Sequence, residues 1–176
     1  MRVIAGKLRH RIIKETNLIT TRETQDRVRE AIFNSLLTTY GKVLDLFCGS
    51  GAMAIEAYSR GASYLVLNDI NKDALAVTRS NLKSLNITDY EIFNKDYKDF
   101  IKDYNSSFDF IFLDPPYKMD NVIDILSQIT NSKLIKKGTK IIFEMASTTT
   151  FILPTNPRLI KEKTYGKKKI TYWEVL

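Results

Sequence analysis

What most restricts this 176-residue chain is a regular alternation of short, almost unbroken apolar runs with longer helix-compatible stretches. Runs rich in β-branched and aromatic residues occupy 42–47 (KVLDLF), 64–68 (YLVLN), 90–94 (YEIFN), 108–113 (FDFIFL) and 139–143 (TKIIF). A strand with one wet face alternates apolar and polar residues. A near-continuous apolar run suits a strand covered on both faces, as in a parallel sheet. Residues 52–60, 72–85, 97–103 and 120–130 lie between or after these runs and have helix-compatible composition. Strand and helix in alternation predict an α/β fold, an open and mostly parallel sheet with right-handed crossovers. The length suffices for one domain with its own core.

The two ends break the pattern. RVIA and LRHRII read as a small β-hairpin around Gly6-Lys7. A helix is expected at about 25–38, with Val28, Ile32 and Leu36 along one face and Thr24 as its N-cap. Near the C-terminus, RLIKEKTY and ITYWEVL flank Gly166-Lys167-Lys168-Lys169, which predicts an antiparallel hairpin appended to the sheet, its turn loaded with lysine. With no repeat or linker evident, residues 1–24 are assigned as a basic N-terminal hairpin extension and residues 25–176 as a single compact domain.

Charge follows the same division. The formal net charge is +7, but residues 1–14 contribute +5 through Arg2, Lys7, Arg9, Arg11 and Lys14, and residues 158–176 contribute +4. The intervening body is −2. Positive charge gathered at the ends suits a polyanion such as nucleic acid, although solubility alone would also account for it. The single cysteine, Cys48, excludes an internal disulfide framework and any multi-cysteine zinc site, and one histidine, His10, leaves no His pair for a metal. No apolar run approaches a membrane span, and MRVIAGKLRHRI lacks a signal-peptide core, so a cytoplasmic protein is expected.

The first apolar run leads into Phe47-Cys48-Gly49-Ser50-Gly51 and then a helix. Glycines at a strand-to-helix turn permit positive φ and close approach of a ligand to backbone. Gly49 to Ala54 also satisfies G-x-G-x-x-A, so a nicotinamide dinucleotide is one reading. Asp45 opposes that reading: a carboxylate in the preceding strand repels a pyrophosphate but attracts the cationic amino group of S-adenosylmethionine. Asp69 and Asp96 close the next two strands. There one acid can hold ribose hydroxyls and the other an adenine amino group, at the carboxyl edge where open α/β sheets bind ligands. Each could instead simply cap the following helix. Cys48 reads as a packing residue of the turn.

The fourth run ends in Asp114-Pro115-Pro116-Tyr117. Two prolines stop a strand, remove two donors and hold the chain extended. The Asp114 carboxylate and the Pro115 carbonyl then offer two acceptors, which match the two N–H bonds of an exocyclic amine. Tyr117 offers a flat face for a base.

D-L-F-C-G-S-G followed by D-P-P-Y resembles the class I S-adenosylmethionine-dependent methyltransferases that act on amino groups, with their Rossmann-like sheet. Arg2-Val3-Ile4-Ala5-Gly6 and Thr24-Gln25-Asp26-Arg27-Val28-Arg29-Glu30-Ala31-Ile32-Phe33-Asn34 resemble the RsmD family, bacterial methyltransferases of guanine N2 in 16S ribosomal RNA. The likeness covers almost the whole chain. Where that family usually has Arg-Pro-Thr, this chain has Arg22-Glu23-Thr24. The resemblance implies that Asp45, Phe47, Gly49 and Gly51 contact the methionine and ribose side of S-adenosylmethionine, Asp69 the ribose, and Asp96 with Tyr97 the adenine. It implies that Arg22 and Thr24 close over the cofactor, and that Asp114, Pro115, Pro116 and Tyr117 form the catalytic tetrapeptide that orients guanine. It further implies that Arg2, Lys7, Arg9, Arg11 and Lys14 meet RNA phosphates. The expected partner is 16S rRNA or the assembling small ribosomal subunit, with no metal, no membrane and a monomeric protein. The lysine-rich C-terminal hairpin receives no role from it.

The expected chemistry is in-line attack of guanine N2 on the sulfonium methyl group, with Asp114 accepting hydrogen bonds from the amine and then its proton. Three alternatives stay open on the residues alone. An adenine-N6 methyltransferase would use the same tetrapeptide, but 176 residues leave little room for a target-recognition region. A nicotinamide-dependent reductase leaves Asp45 and the tetrapeptide unexplained. A ribosome-assembly factor, valued for binding rather than catalysis, would carry the same residues.

Overall fold

Seven strands form one sheet in the order β3-β2-β1-β4-β5-β7-β6. The strands are β1 (Lys42–Asp45), β2 (Tyr64–Asn68), β3 (Tyr90–Phe93), β4 (Phe110–Leu113), β5 (Lys140–Ala146), β6 (Arg158–Tyr165) and β7 (Lys168–Glu174). The helices are α1 (Arg22–Leu36), α2 (Ala52–Ser59), α3 (Lys72–Ser84), α4 (Tyr97–Asp103) and α5 (Val122–Thr130). The computed structural model describes residues 1–16, 22–116, 119, 122–150 and 154–176, and the side chains of residues 22–25 lie outside that description. The first five strands are parallel, and β7 runs antiparallel between β5 and β6. The α/β expectation therefore holds, with its antiparallel C-terminal pair.

Continuous apolar runs are explained by cover on both faces. On one face Val43, Leu67, Phe110, Phe112 and Ile142 pack with Val28, Ile32 and Phe33 of α1, Ile55 of α2 and Leu82 of α3. On the other, Leu44, Val66, Ile111, Leu113 and Phe143 meet Phe100 of α4 and Ile125 and Ile129 of α5. Each large side chain taken fully from water contributes about 1.5–3 kcal/mol, so neither layer is dispensable. Among the described residues, no helix is long and apolar enough to cross a membrane.

After β1 the chain moves outward to β2 and β3, then returns to lay β4 on the other side of β1. The direction of winding reverses between β1 and β4, and the carboxyl ends of strands at such a reversal open a crevice. Asp45 and Asp114 stand on either side of it, Asp45 as the last residue of β1 and Asp114 just beyond β4.

Several local expectations are corrected. Helix α1 starts at Arg22, so Thr24 lies within its first turn and is not the N-cap. Its end at Leu36 is set by Leu37, whose φ of 64° breaks the helix while its N–H still reaches Phe33 O at 3.0 Å. The N-terminal arms meet through Val3 N–H to Arg11 O and His10 N–H to Val3 O, both 2.9 Å, but their ladder holds one bridge, Arg2–Ile12. Side chains of the main body hold this segment instead. The fully buried Glu56 accepts from the N–H groups of Ile4 and Ala5 at 2.8 and 3.1 Å, and Ser59 Oγ accepts from Leu8 N–H at 2.9 Å. The C-terminal turn is Gly166-Lys167 alone, because Lys168 and Lys169 already pair within β7. Lys168 forms an ion pair with Glu144, and Lys169 Nζ donates to Thr149 O at 2.6 Å.

Candidate active site

The glycine loop leaves β1 as a pre-shaped turn. Cys48 N–H donates to Asn68 O at 2.9 Å, and Gly51 N–H turns back to Cys48 O at 2.7 Å. Gly49 and Gly51 have φ of 54° and 80°, the left-handed region that disfavours side chains. A Cβ at Gly51 would stand 3.1 Å from Thr78 Cγ2, whereas one at Gly49 would meet nothing within 4 Å. Gly51 is thus glycine because α3 leans on it. Gly49 faces open space, where a ligand can approach backbone directly. Cys48 is buried, with its thiol pushed well up by burial and the nearby Asp45 and Asp69, as befits a packing residue.

Two residues of α3 hold the loop, and neither was singled out in the sequence. Thr78 Oγ1 donates to Gly49 O at 2.6 Å, and Asn81 Nδ2 donates to Ser50 O at 2.9 Å. Asn81 also accepts from Lys14 N–H at 2.8 Å and donates to Lys14 O at 2.9 Å, which ties the basic N-terminal segment to the glycine loop. The signal was present: two polar residues three apart on the buried face that also carries Leu75 and Leu82. Asn68 is a third such residue. From the end of β2 it donates to Leu46 O and Lys95 O and accepts from Lys95 N–H, binding three strand ends together.

Asp45 is 2% exposed, and its Oδ2 accepts from Ala54 N–H in the first turn of α2 at 3.2 Å. Helix α2 has Gly51 as N-cap and no side-chain cap, so its first-turn donors depend on what lies in front of them. Burial pushes the Asp45 carboxyl up to about 7, with the Ala54 bond opposing and Asp69 adding to the rise. A cation beside Asp45 would relieve that cost.

Asp69 accepts from Gly49 N–H at 2.8 Å on one oxygen and from Asn71 N–H at 2.9 Å on the other. It does not cap α3, because Asn71 does, accepting from Asp73 and Ala74. A carboxylate has about four acceptor sites, so Asp69 retains capacity for hydroxyl groups. Asp96 does cap α4, its Oδ1 accepting from Lys98 N–H at 2.9 Å. Phe47 and Tyr97 lie ring to ring, centroids 5.5 Å apart, forming an aromatic wall beside these acids.

Beyond β4, Asp114 is exposed, Pro115 is buried and Pro116 is exposed, its carbonyl accepting from Met119 N–H at 2.9 Å. Loss of water around the carboxyl, together with the Glu144 and Asp45 carboxylates, pushes Asp114 up, and Lys168 opposes. Tyr117 lies outside the described residues, as do the side chains of Arg22 and Thr24. Glu144 and Lys168 were also missed in the sequence, because a residue within a β-run shows no sign of what a neighbouring strand will set beside it.

All five N-terminal basic side chains are exposed. Lys7 Nζ lies 3.4 Å from the centroid of the Tyr58 ring, Arg11 donates to Ser84 O at 3.0 Å, and Lys14 Nζ donates to Ser80 Oγ at 3.0 Å. Arg2 and Arg9 project from the same segment.

A family model described as Conserved hypothetical protein 95 matches residues 1–174. The Ribosomal RNA small subunit methyltransferase D of Buchnera aphidicola subsp. Acyrthosiphon pisum is 35% identical over 164 residues, 92% of this chain and 86% of that protein. The protein of the same name from Haemophilus influenzae is 33% identical over 172 residues, 94% and 89% of the two chains. The solved structure of a putative methyltransferase from Escherichia coli superposes with a TM-score of 0.87 at 26% identity, covering 99% of this chain and 97% of that one. A glycine loop over a buried acid, a tetrapeptide acid across the crevice and matches of this extent agree on one conclusion: the chain belongs to the RsmD family and has the class I methyltransferase fold.

Proposed function

We propose that this protein transfers a methyl group from S-adenosylmethionine to the exocyclic N2 of a guanine in 16S rRNA. One observation carries the reading. Asp45 and Asp114 flank the β1/β4 crevice, one beneath the glycine loop and the other leading into two prolines. The residues fit the cofactor: open space at Gly49 admits it, and Asp45 is a buried carboxylate in want of a cation.

When bound, the cofactor supplies a methyl group already activated on a sulfonium sulfur. Asp45 receives its amino group, Asp69 its ribose hydroxyls, and Phe47 with Tyr97 the adenine side. Asp96 spends one carboxylate oxygen on α4 and offers the other to the adenine amino group. Asp114 and the Pro115 carbonyl hold the two N–H bonds of the target amine, which directs the nitrogen lone pair away from them. Asp114 offsets the positive charge that develops on nitrogen and takes its proton. Tyr117 supplies the stacking surface for a base turned out of its helix. Arg22 and Thr24 would close over the cofactor, as the family likeness implies.

The N-terminal segment holds RNA phosphates, with Asn81 setting its position relative to the glycine loop. Lys161 is exposed on the edge strand β6. We read the substrate as 16S rRNA, free or in the assembling small subunit, bound by a monomer in the cytoplasm, where ribosomes are built. Nucleoside mass spectrometry of 16S rRNA from cells with and without the gene tests the reaction: one N2-methylguanosine should disappear. Restoring Asp114→Ala should fail to return it, although calorimetry still detects cofactor binding. Full methylation by that variant would overturn the assignment.

A further inference from the structure

We propose that Glu144, clamped by Lys168, is a positioning residue that makes Asp114 ready to take the proton of the target amine. The inference rests on the catalytic reading of Asp114 above.

Strand register brings these side chains together. Leu113 of β4 pairs with Phe143 of β5, so the next step sets Asp114 beside Glu144. Ala146 of β5 pairs with Lys168 of β7, two residues beyond Glu144 and on the same face. Lys168 and Glu144 form an ion pair whose side chains are 16% and 9% exposed, and Glu144 is within hydrogen-bonding reach of Asp114. The charged groups that act on Asp114 are Glu144 from β5, Lys168 from β7 and Asp45 from β1.

Two adjoining carboxyl groups cannot both ionise cheaply, and a proton shared between them relieves the repulsion. That sharing has a useful direction here. A proton arriving from the amine relieves that repulsion, so Asp114 accepts it more readily than an isolated carboxylate would. Glu144 belongs to β5, on the far side of β4 from β1 and the crevice, so the proton can be shared toward that side. Lys168 holds Glu144 in place through their ion pair and opposes its effect on Asp114.

The same arrangement handles the product. A nitrogen that has spent its lone pair on a new N–C bond, while the S–C bond breaks and leaves its pair on the departing sulfur, carries a positive charge. When an N–H bond breaks, its electron pair returns to nitrogen, and the proton passes to Asp114. The Asp114–Glu144 pair holds it until product departure admits water.

Rates of methyl incorporation into RNA against pH test this for the wild type, Glu144→Gln and Lys168→Met. Loss of the Glu144 charge should move the acidic limb of kcat/KM toward lower pH. Loss of the Lys168 charge should move it toward higher pH, each by about one unit. Lys168→Arg should restore the wild-type limb, and calorimetric cofactor affinity should stay within a few-fold in all variants. A purely structural role would lower rates without moving the limb. Superimposable limbs, or movement in one direction for both variants, would overturn the proposal. Asp114→Ala separates the two levels: a fully active variant sinks the reading of Asp114, whereas an inactive one with unmoved limbs in the others sinks only the role of Glu144.

Discussion

Replacing Asp45 by Asn should stabilise the ligand-free protein and disable it, and the balance should depend on pH in a calculable way. Burial raises this carboxyl from 3.8 to about 7. An acid raised on folding binds more protons in the native state than in the unfolded chain at intermediate pH. Its contribution is therefore neutral below about 3.8 and becomes increasingly destabilising until pH passes about 7. The full displacement amounts to about 4 kcal/mol, of which about 3 kcal/mol accrues between pH 5 and 8. Asparagine is nearly isosteric, can still accept from Ala54 N–H, and carries no charge to bury. Urea denaturation of both proteins without ligand should give a stability difference, variant minus wild type, that grows by about that amount from pH 5 to pH 8. The wild type should bind S-adenosylhomocysteine several-fold more tightly at pH 7.5 than at pH 6, as Asp45 ionises to meet its amino group, and the variant should lose this dependence. A stability difference that stays constant or narrows across that range would refute the account of Asp45 as a buried acid awaiting a cation.

Two neighbouring glycines should respond differently to the same substitution. Gly51→Ala incurs the left-handed backbone cost and presses on Thr78, for about 2–4 kcal/mol of stability, which thermal melting will register. Gly49→Ala should cost only about 1–2 kcal/mol, yet abolish cofactor binding in calorimetry, because its methyl group projects into the ligand's space. Replacing Arg9 and Arg11 by Ala should weaken RNA binding and flatten its salt dependence while leaving cofactor affinity alone, and unchanged RNA affinity would make that charge a matter of solubility.

The strands and central helices were legible because their cause is local. An apolar run such as YLVLN specifies a strand covered on both faces wherever the sheet is assembled, and β2 spans those same residues. The glycine loop and the strand-ending prolines were legible too, since positive φ and a missing N–H are properties of single residues. The start of α1 was not, because Thr24 satisfies a capping pattern equally well inside a first turn. The turn lysines were misplaced because strand register, not composition, decides where a hairpin turns, and Lys168 and Lys169 are held in β7 by their partners across it. Asp96 shows the limit for a proposed site residue: it caps α4, and a ligand-accepting role for its other oxygen is compatible with that cap.

By itself the sequence determined the α/β alternation, the acids at the strand ends and the two motifs whose spacing carries the family likeness. Each depends on contacts within a few residues of chain. Tertiary structure alone decided that β1 and β4 lie side by side, which makes a crevice of two motifs separated by more than 60 residues. It also set Thr78 and Asn81 against the glycine loop, and Glu144 with Lys168 beside Asp114. These are meetings of polar groups across strands and helices remote in sequence. Their worth arises only when water is excluded around them, a condition that packing creates and no local pattern records.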